Sequence, residues 1–124
     1  MKVENIKFNA KSLLDGAWVQ GDLIHKENGM IGILTNGFCV SEVDSSTVCQ
    51  FAGEKDINGN EIYIGDIISN LKTGSVIEVA WNDIQKRLDC KFLNVDKGLV
   101  VPFGIFMSRY KRIVVLKSKF DKEK

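Results

Sequence analysis

The chain has 124 residues, of which 44% are hydrophobic and 27% are charged, and its formal net charge is +1. This balance is typical of a folded globular protein and excludes a membrane-spanning protein, a disordered chain, a collagen-like fibre and a disulfide scaffold. The near-neutral total argues neither for nor against nucleic-acid binding, but residues 109–124 carry seven basic and only two acidic side chains.

Short apolar runs separated by turn residues predict a meander of β-strands, because Ile, Val, Phe and Thr favour extended backbone. The predicted turns are Asn28-Gly29, Asn36-Gly37, Asn58-Gly59 and Asp96-Lys97-Gly98. Asn36-Gly37 is the strongest hairpin signal, because a type I′ turn needs positive φ at both central residues. Further strands are predicted at Val76–Trp81 and, as a buried last strand, at Ile113–Leu116.

Helical signals are weak. The carboxylate and hydroxyls of Asp44–Thr47 predict one short capped turn. The segment Asn82–Leu88 fits either a short helix, because Ile84 and Leu88 have helical spacing, or a hairpin loop. We favour the loop.

An internal echo also indicates β structure. Gly21-Asp22 and Gly65-Asp66 each follow an aromatic residue and precede two aliphatic residues. This pattern predicts a turn followed by a strand, since Gly permits unusual backbone angles and Asp accepts turn hydrogen bonds. We therefore predict a mainly β protein, a small SH3-like or partly open β-barrel. It has a single β domain over residues 1–116 and a solvated basic tail over residues 117–124.

Catalytic and metal-binding patterns are weak. The segment Asp56–Asn60 resembles a calcium loop, but Glu61 and Ile67 stand where an EF-hand needs Gly and Glu, so a turn is the better interpretation. A small enzyme using a carboxylate or thiol remains an alternative, and its candidate residues are Asp22, Asp66, Cys49 and His25. We predict no catalytic, metal or cofactor site, and hence a non-enzymatic protein.

The number and spacing of the three cysteines predict the cellular compartment of the protein. Their odd number and wide spacing favour free thiols in a reducing cytosol, and the N-terminal residues show no secretory signal. We expect a cytoplasmic protein without membrane association. Cys39 lies in an apolar run and is predicted to be a core residue, whereas Cys49 and Cys90 are better candidates for exposure.

A binding role has two candidate features. Arg109, Lys111 and Arg112 flank Tyr110, a pattern that suits phosphate contact, although the segment Arg109–Lys124 also fits a solvated terminus. The aromatic side chains in the predicted strands either pack in the core or stack on bases; they are Trp18, Phe51, Tyr63, Trp81 and Phe92. Possible partners are therefore another protein, a second copy in a homo-oligomer, or nucleic acid.

The segment Val43–Ile68 resembles the signature of the YopX family. Members typically contain Val-Asp, a short polar turn, Gly-Gln-Phe-Thr-Gly, and then Lys-Asp-x-Asn-Gly-x-Glu-Ile-Tyr-x-Gly-Asp-Ile. The runs Ile6–Phe8 and Trp18–Leu23 are similar to the family's opening, and Val76–Trp81 is similar to its strand ending in Trp. The sequence departs from the signature where it has Cys49 for Gly, Ala52 for Thr and Glu54 for Leu.

The resemblance implies a small, mainly β protein encoded by a bacteriophage or prophage and acting inside a bacterial cell. It implies no activity and no ligand residues, because the signature consists of turn and packing residues. The expected function is a non-enzymatic binding or assembly module. The alternatives are a nucleic-acid-binding accessory protein using the basic C-terminal segment and, less favoured, the small enzyme.

Overall fold

The computed structural model describes residues 5–35 and 39–121. These residues form eleven β-strands, one α-helix and a short 3-10 turn, so the mainly β prediction is confirmed. The chain divides within β5 into two compact units, Met1–Phe51 and Ala52–Lys124. Among the described residues, no helix has the length and apolar character needed to cross a membrane.

The first unit is an antiparallel sheet. Its strands are β1 (Phe8–Lys11), β2 (Trp18–His25), β3 (Ile31–Thr35), β4 (Cys39–Glu42) and the start of β5 (Cys49–Lys55), in the order β4-β3-β2-β1-β5. Ser12 bridges Val43, and Leu13 N–H donates to the Glu42 carbonyl oxygen. Ala10, Ile33 and Val43 form the buried core of this unit.

The turns of the first unit that the structure describes form where the sequence predicts them. Asn28 Oδ1 accepts the Met30 N–H, and Gly29 has φ of +83°, as the predicted Asn-Gly turn requires. Asp44 accepts the Ser46 N–H and so caps the 3-10 turn Ser45–Thr47, which confirms the predicted capped turn. The predicted Asn36-Gly37 turn lies outside the described residues.

The second unit contains the end of β5 and a second antiparallel sheet. Its elements are β6 (Glu61–Tyr63), β7 (Asp66–Asn70), β8 (Ser75–Asn82), β9 (Arg87–Phe92), β10 (Val100–Pro102), α1 (Phe103–Arg109) and β11 (Ile113–Ser118). The end of β5 pairs with β6, and the second sheet has the order β10-β9-β8-β7-β11. The core of the second unit consists of Ile62, Ile68, Ile77, Val79, Cys90, Phe103, Phe106 and Ile113.

The strand orders are those of two open sheets rather than of one closed barrel. The turn between β8 and β9 lies within the Asn82–Leu88 segment, at residues 83–86, and Asn82 Oδ1 accepts the N–H groups of Ile84 and Gln85, so the favoured loop is confirmed. Lys117 and Ser118 are the last residues of β11. The division into a domain over residues 1–116 and a tail over 117–124 stays a prediction.

The two Gly-Asp motifs have different structural roles, whereas we predicted a turn followed by a strand for both. Gly65 has φ of +98° in the turn before β7. Gly21 instead lies within β2, where a Cβ atom would collide with the Leu34 carbonyl oxygen of β3. A close strand approach, and not a turn, therefore requires glycine at position 21.

All three cysteines are free thiols, as predicted, but the predicted exposure of each was wrong. Cys39 is exposed because it begins β4, which is at the edge of its sheet. Cys49 and Cys90 are buried, and Cys90 lies in the core of the second unit. Burial, with the neighbouring Asp89 charge, raises the pKa of the Cys90 thiol to about 12.

Candidate functional site

Asp56 and Ile57, which lie in the signature segment Val43–Ile68, form hydrogen bonds with the backbone of β11. The buried Asp56 carboxylate accepts the N–H groups of Asn58 and Asn60 and, across the fold of the second unit, the N–H of Val115. Ile57 N–H donates to the Ile113 carbonyl oxygen. Burial raises the pKa of Asp56, but these N–H donors outweigh it and hold the pKa below its usual value. The calcium-like segment is thus a turn that covers the edge of β11.

Two of the four residues proposed for an enzyme, Asp66 and Cys49, contact backbone groups of their own units. Asp66 is buried and accepts the Tyr63 N–H at 2.8 Å. Cys49 is 4% exposed, and its Sγ lies 3.2 Å from the Thr47 carbonyl oxygen. Asp22 and His25 are exposed residues of β2 in the first unit. Asp22 and Asp66 belong to different units.

The short helix α1 sets the position of the basic residues. Phe103 and Phe106 are buried, and the Phe106 ring lies 6.0 Å from the Phe92 ring and 5.0 Å from the Tyr110 ring. These ring contacts fix the C-terminal end of α1, where Arg109 is the last residue. The helix α1 was not predicted, although Pro102 directly before it is a recognised helix-start signal.

Backbone pairing between β7 and β11 brings two basic segments together. Ile113 is in register with Asn70, and the Leu71 N–H donates to the Arg112 carbonyl oxygen at 2.9 Å. Lys72 follows directly in the turn after β7. A cation some 40 residues away in sequence therefore joins the predicted basic segment, and only strand pairing reveals it.

Two depressions of the second unit meet at this place. One, of about 310 Å³, is lined by Asn70, Tyr110 and four cations: Lys72, Arg109, Lys111 and Arg112. We call it the cationic groove. The other, of about 460 Å³, is lined mainly by apolar side chains: Phe92, Val95, Leu99, Val101, Ile105 and Phe106. We call it the apolar pocket, and it shares Asn70, Arg109 and Tyr110 with the groove.

The four cations of the groove are exposed. Within residues 5–35 and 39–121, no carboxylate lies at ion-pair distance from any of them. Like charges that line one depression repel one another and attract counter-ions, because charges interact most strongly at separations below the Debye length, about 10 Å at 0.1 M salt. The groove is therefore suited to an anionic ligand.

Asn70 is the buried polar group at the junction of the two depressions. Its side chain is 2% exposed, and its Oδ1 accepts the Lys72 N–H at 3.0 Å. In the described part of the chain, its Nδ2 has no hydrogen-bond acceptor. Asp96 also lines the apolar pocket, and its side chain brings a carboxylate group to it. The junction thus offers a free amide donor beside the cations and an acceptor on the apolar side.

The aromatic residues that were predicted either to pack in the core or to stack on bases are buried to different degrees. Phe51 and Tyr63 are buried, as core residues are, and Trp18 is half-buried. Trp81 is 48% exposed, and its Nε1 donates to Asp83. Phe92 is half-buried in the wall of the apolar pocket. The structure places Arg109, Lys111 and Arg112 in one groove, while their role in binding stays a prediction.

These features define a small mainly β protein with a cationic groove and with signature residues that hold its turns and strands. The chain belongs to the YopX family: the family model, described as YopX protein, matches residues 7–112. No curated protein matches the sequence.

Proposed function

We propose that this YopX-family protein is a non-enzymatic binding module that binds nucleic acid through the cationic groove. The observation that carries the proposal is the set of four exposed cations, without ion-pair partners among the described residues, around one depression. Lys and Arg side chains in this arrangement contact consecutive phosphates, and release of the condensed counter-ions supplies the affinity. The family resemblance supports a setting in phage or prophage biology, in the cytoplasm of a bacterial cell.

The non-enzymatic part of the proposal is supported by the roles of the candidate nucleophiles and carboxylates. The Asp66 carboxylate and the Cys49 thiol are buried, and each lies at hydrogen-bond distance from a backbone group of its own segment. A general base needs to reach a substrate proton, and a thiol nucleophile needs access and a lowered pKa.

An SH3-like architecture is proposed for the second unit. Strands β7 to β10 form a meander, and β11 returns through α1 to pair with β7, giving the order β10-β9-β8-β7-β11. Five antiparallel strands with a short helix before the last strand are the connectivity of SH3-like barrels. Folds of this kind serve many unrelated functions, so the function rests on the groove and not on the fold.

Salt dependence tests the proposal. Affinity for a fluorescein-labelled 12-nucleotide single strand is measured by fluorescence anisotropy from 20 to 200 mM NaCl. With four phosphate contacts, log K falls with log salt with a slope of about −3. Lys111→Gln and Arg112→Gln are each expected to reduce the magnitude of the slope by about 0.7.

Lys86→Gln is the matched control, because Lys86 is exposed in the β8–β9 turn and does not line the groove. It should leave the slope within about 0.3 of the parent value. Absence of binding at 20 mM NaCl, or equal effects of the groove and control variants, would overturn the proposal.

Self-association is a second candidate, supported by an apolar patch on the first unit. Leu13, Leu14 and Val40 are 55%, 93% and 47% exposed and line one shallow depression of about 400 Å³. Contiguous exposed apolar side chains mark interaction surfaces. Sedimentation equilibrium should show a dimer that Leu14→Glu dissociates and that Ile84→Glu, at an exposed site in the other unit, leaves intact. A monomer at 100 μM would exclude this candidate.

A further inference from the structure

The apolar pocket beside the cations has a composition that phosphate binding alone does not require. Val95, Leu99 and Ile105 are 49%, 46% and 51% exposed, although they line a concave surface. Its volume of about 460 Å³ falls in the range of small-molecule sites, roughly 300–1,000 Å³. Apolar side chains left exposed in a depression indicate that the ligand brings an apolar or aromatic group with it.

We propose that the ligand is single-stranded nucleic acid, with one unpaired base in the apolar pocket and the adjoining phosphates on the cationic groove. This inference rests on the proposed function and names the class of nucleic acid. A duplex presents phosphates and base-pair edges but hides the faces of its bases. A single strand offers a base face and a phosphate at neighbouring positions, which is the combination that the two depressions can bind.

Two polar groups of the pocket, the Asn70 amide and the Asp96 carboxylate, fit the edge of a base. Asn70 Nδ2, which has no acceptor among the described residues, can donate to a ring nitrogen or carbonyl oxygen. The Asp96 carboxylate can accept from a ring N–H, such as the N3–H of thymine, or from an exocyclic amino group, and it repels phosphate from the apolar side. The phosphates are thereby directed to Lys72 and Arg112, which line the cationic groove and not the apolar pocket.

Arg109 and Tyr110 line both depressions and so lie where the base meets its phosphate. The Tyr110 ring is held by its 5.0 Å contact with the Phe106 ring. A preorganised ring loses less conformational freedom when a base packs on it.

The test compares three labelled 12-mers at one salt concentration by fluorescence anisotropy: oligo-dT, the same strand in a duplex with oligo-dA, and a strand of abasic sugar-phosphate units. All three carry the phosphates, but only the first presents accessible base faces. We expect oligo-dT to bind about tenfold more tightly than either of the others, since one stacked base contributes roughly this factor.

Substitutions in the apolar pocket test whether the preference for accessible bases arises there. Leu99→Ala and Ile105→Ala should reduce affinity for oligo-dT about threefold to tenfold and leave the abasic strand unaffected. Lys111→Gln should weaken both equally. Ile84→Ala, which removes an 89% exposed side chain from the β8–β9 turn, is the matched control and should change neither. Circular dichroism melting verifies that each variant is folded.

The outcomes separate this inference from the proposed function. Equal affinity for all three 12-mers, tighter binding of the duplex, or equal effects of Leu99→Ala on oligo-dT and the abasic strand would overturn the inference and leave the proposed function standing. Failure of all three to bind at 20 mM NaCl would overturn the proposed function itself. Competition by a 12-residue poly-Glu peptide as effective as by oligo-dT would show that the pocket does not read bases, and would also overturn the inference.

Discussion

Asp66 should make the stability of the second unit fall as the pH rises. Its carboxyl group is 7% exposed at the start of β7. Burial raises the pKa of Asp66 to about 6; the Tyr63 N–H opposes this shift, and the Asp121 charge adds to it. The family signature thus includes a carboxyl group whose pKa is raised by burial.

The sign and size of the effect follow from linkage. The ordinary pKa of 3.8 describes the unfolded chain, so between about pH 4 and pH 6 the folded state binds more protons than the unfolded state. The stabilisation is complete below the unfolded pKa and is lost as the pH rises through the folded pKa. A difference of about two pKa units corresponds to about 3 kcal/mol in the free energy of unfolding.

The assay compares Asp66→Asn with the parent protein by urea unfolding at pH 4 and pH 7. A Trp18→Phe background leaves Trp81 fluorescence as a reporter of the second unit. The variant keeps an oxygen that accepts the Tyr63 N–H but cannot ionise. Relative to the parent, its free energy of unfolding should rise by about 2–3 kcal/mol between the two pH values.

Glu54→Gln is the control, because it makes the same chemical change at an exposed side chain of the same unit and does not contact the Trp81 reporter. A pH-dependent change as large as that of Asp66→Asn would show that burial is not its cause. A pH-independent difference between Asp66→Asn and the parent would refute the reasoning, because it would show that burial does not favour the protonated carboxyl group.

Three further predictions concern stability and accessibility. Asp56→Asn should destabilise the second unit by about 1.5–3 kcal/mol in urea unfolding, since it replaces a charged acceptor of several backbone N–H groups; an unchanged midpoint would contradict this role. Phe106→Ala should cost about 3–5 kcal/mol by the same measurement, because the side chain is 1% exposed in the core; a loss below about 1 kcal/mol would show that the core is loosely packed there. Ellman's reagent should label Cys39 in the native protein and reach Cys49 and Cys90 only in denaturant; fast native labelling of all three thiols would contradict the assigned burial.

Most of the strand and turn pattern was predictable from local sequence. Asn28-Gly29 and Asn58-Gly59 place glycine at φ of +83° and +84°, and these conformations depend on the turn residues themselves. The capped turn at Asp44 was predictable for the same reason, since its carboxylate bonds to a group two residues away. Signals of this kind need no knowledge of the rest of the fold.

The errors arose where distant strands decide the environment. The exposure of Cys39 and the burial of Cys90 depend on which strand is at an edge and which face meets the core. The helix α1 was missed because its seven residues have little helical stability of their own and are held by burial of Phe103 and Phe106. Gly21 lies inside β2, where the close approach of β3 and not a turn excludes a side chain.

The candidate site shows the same division. The basic residues Arg109, Lys111 and Arg112 could be identified from their spacing around one tyrosine, because they are neighbours in the chain. Asn70 and Lys72 join them only because β11 pairs with β7, a contact that sequence order does not indicate. Local chemistry alone thus determined the turns, the strands and the basic segment, while pairing between distant strands decided which side chains share the groove and the pocket.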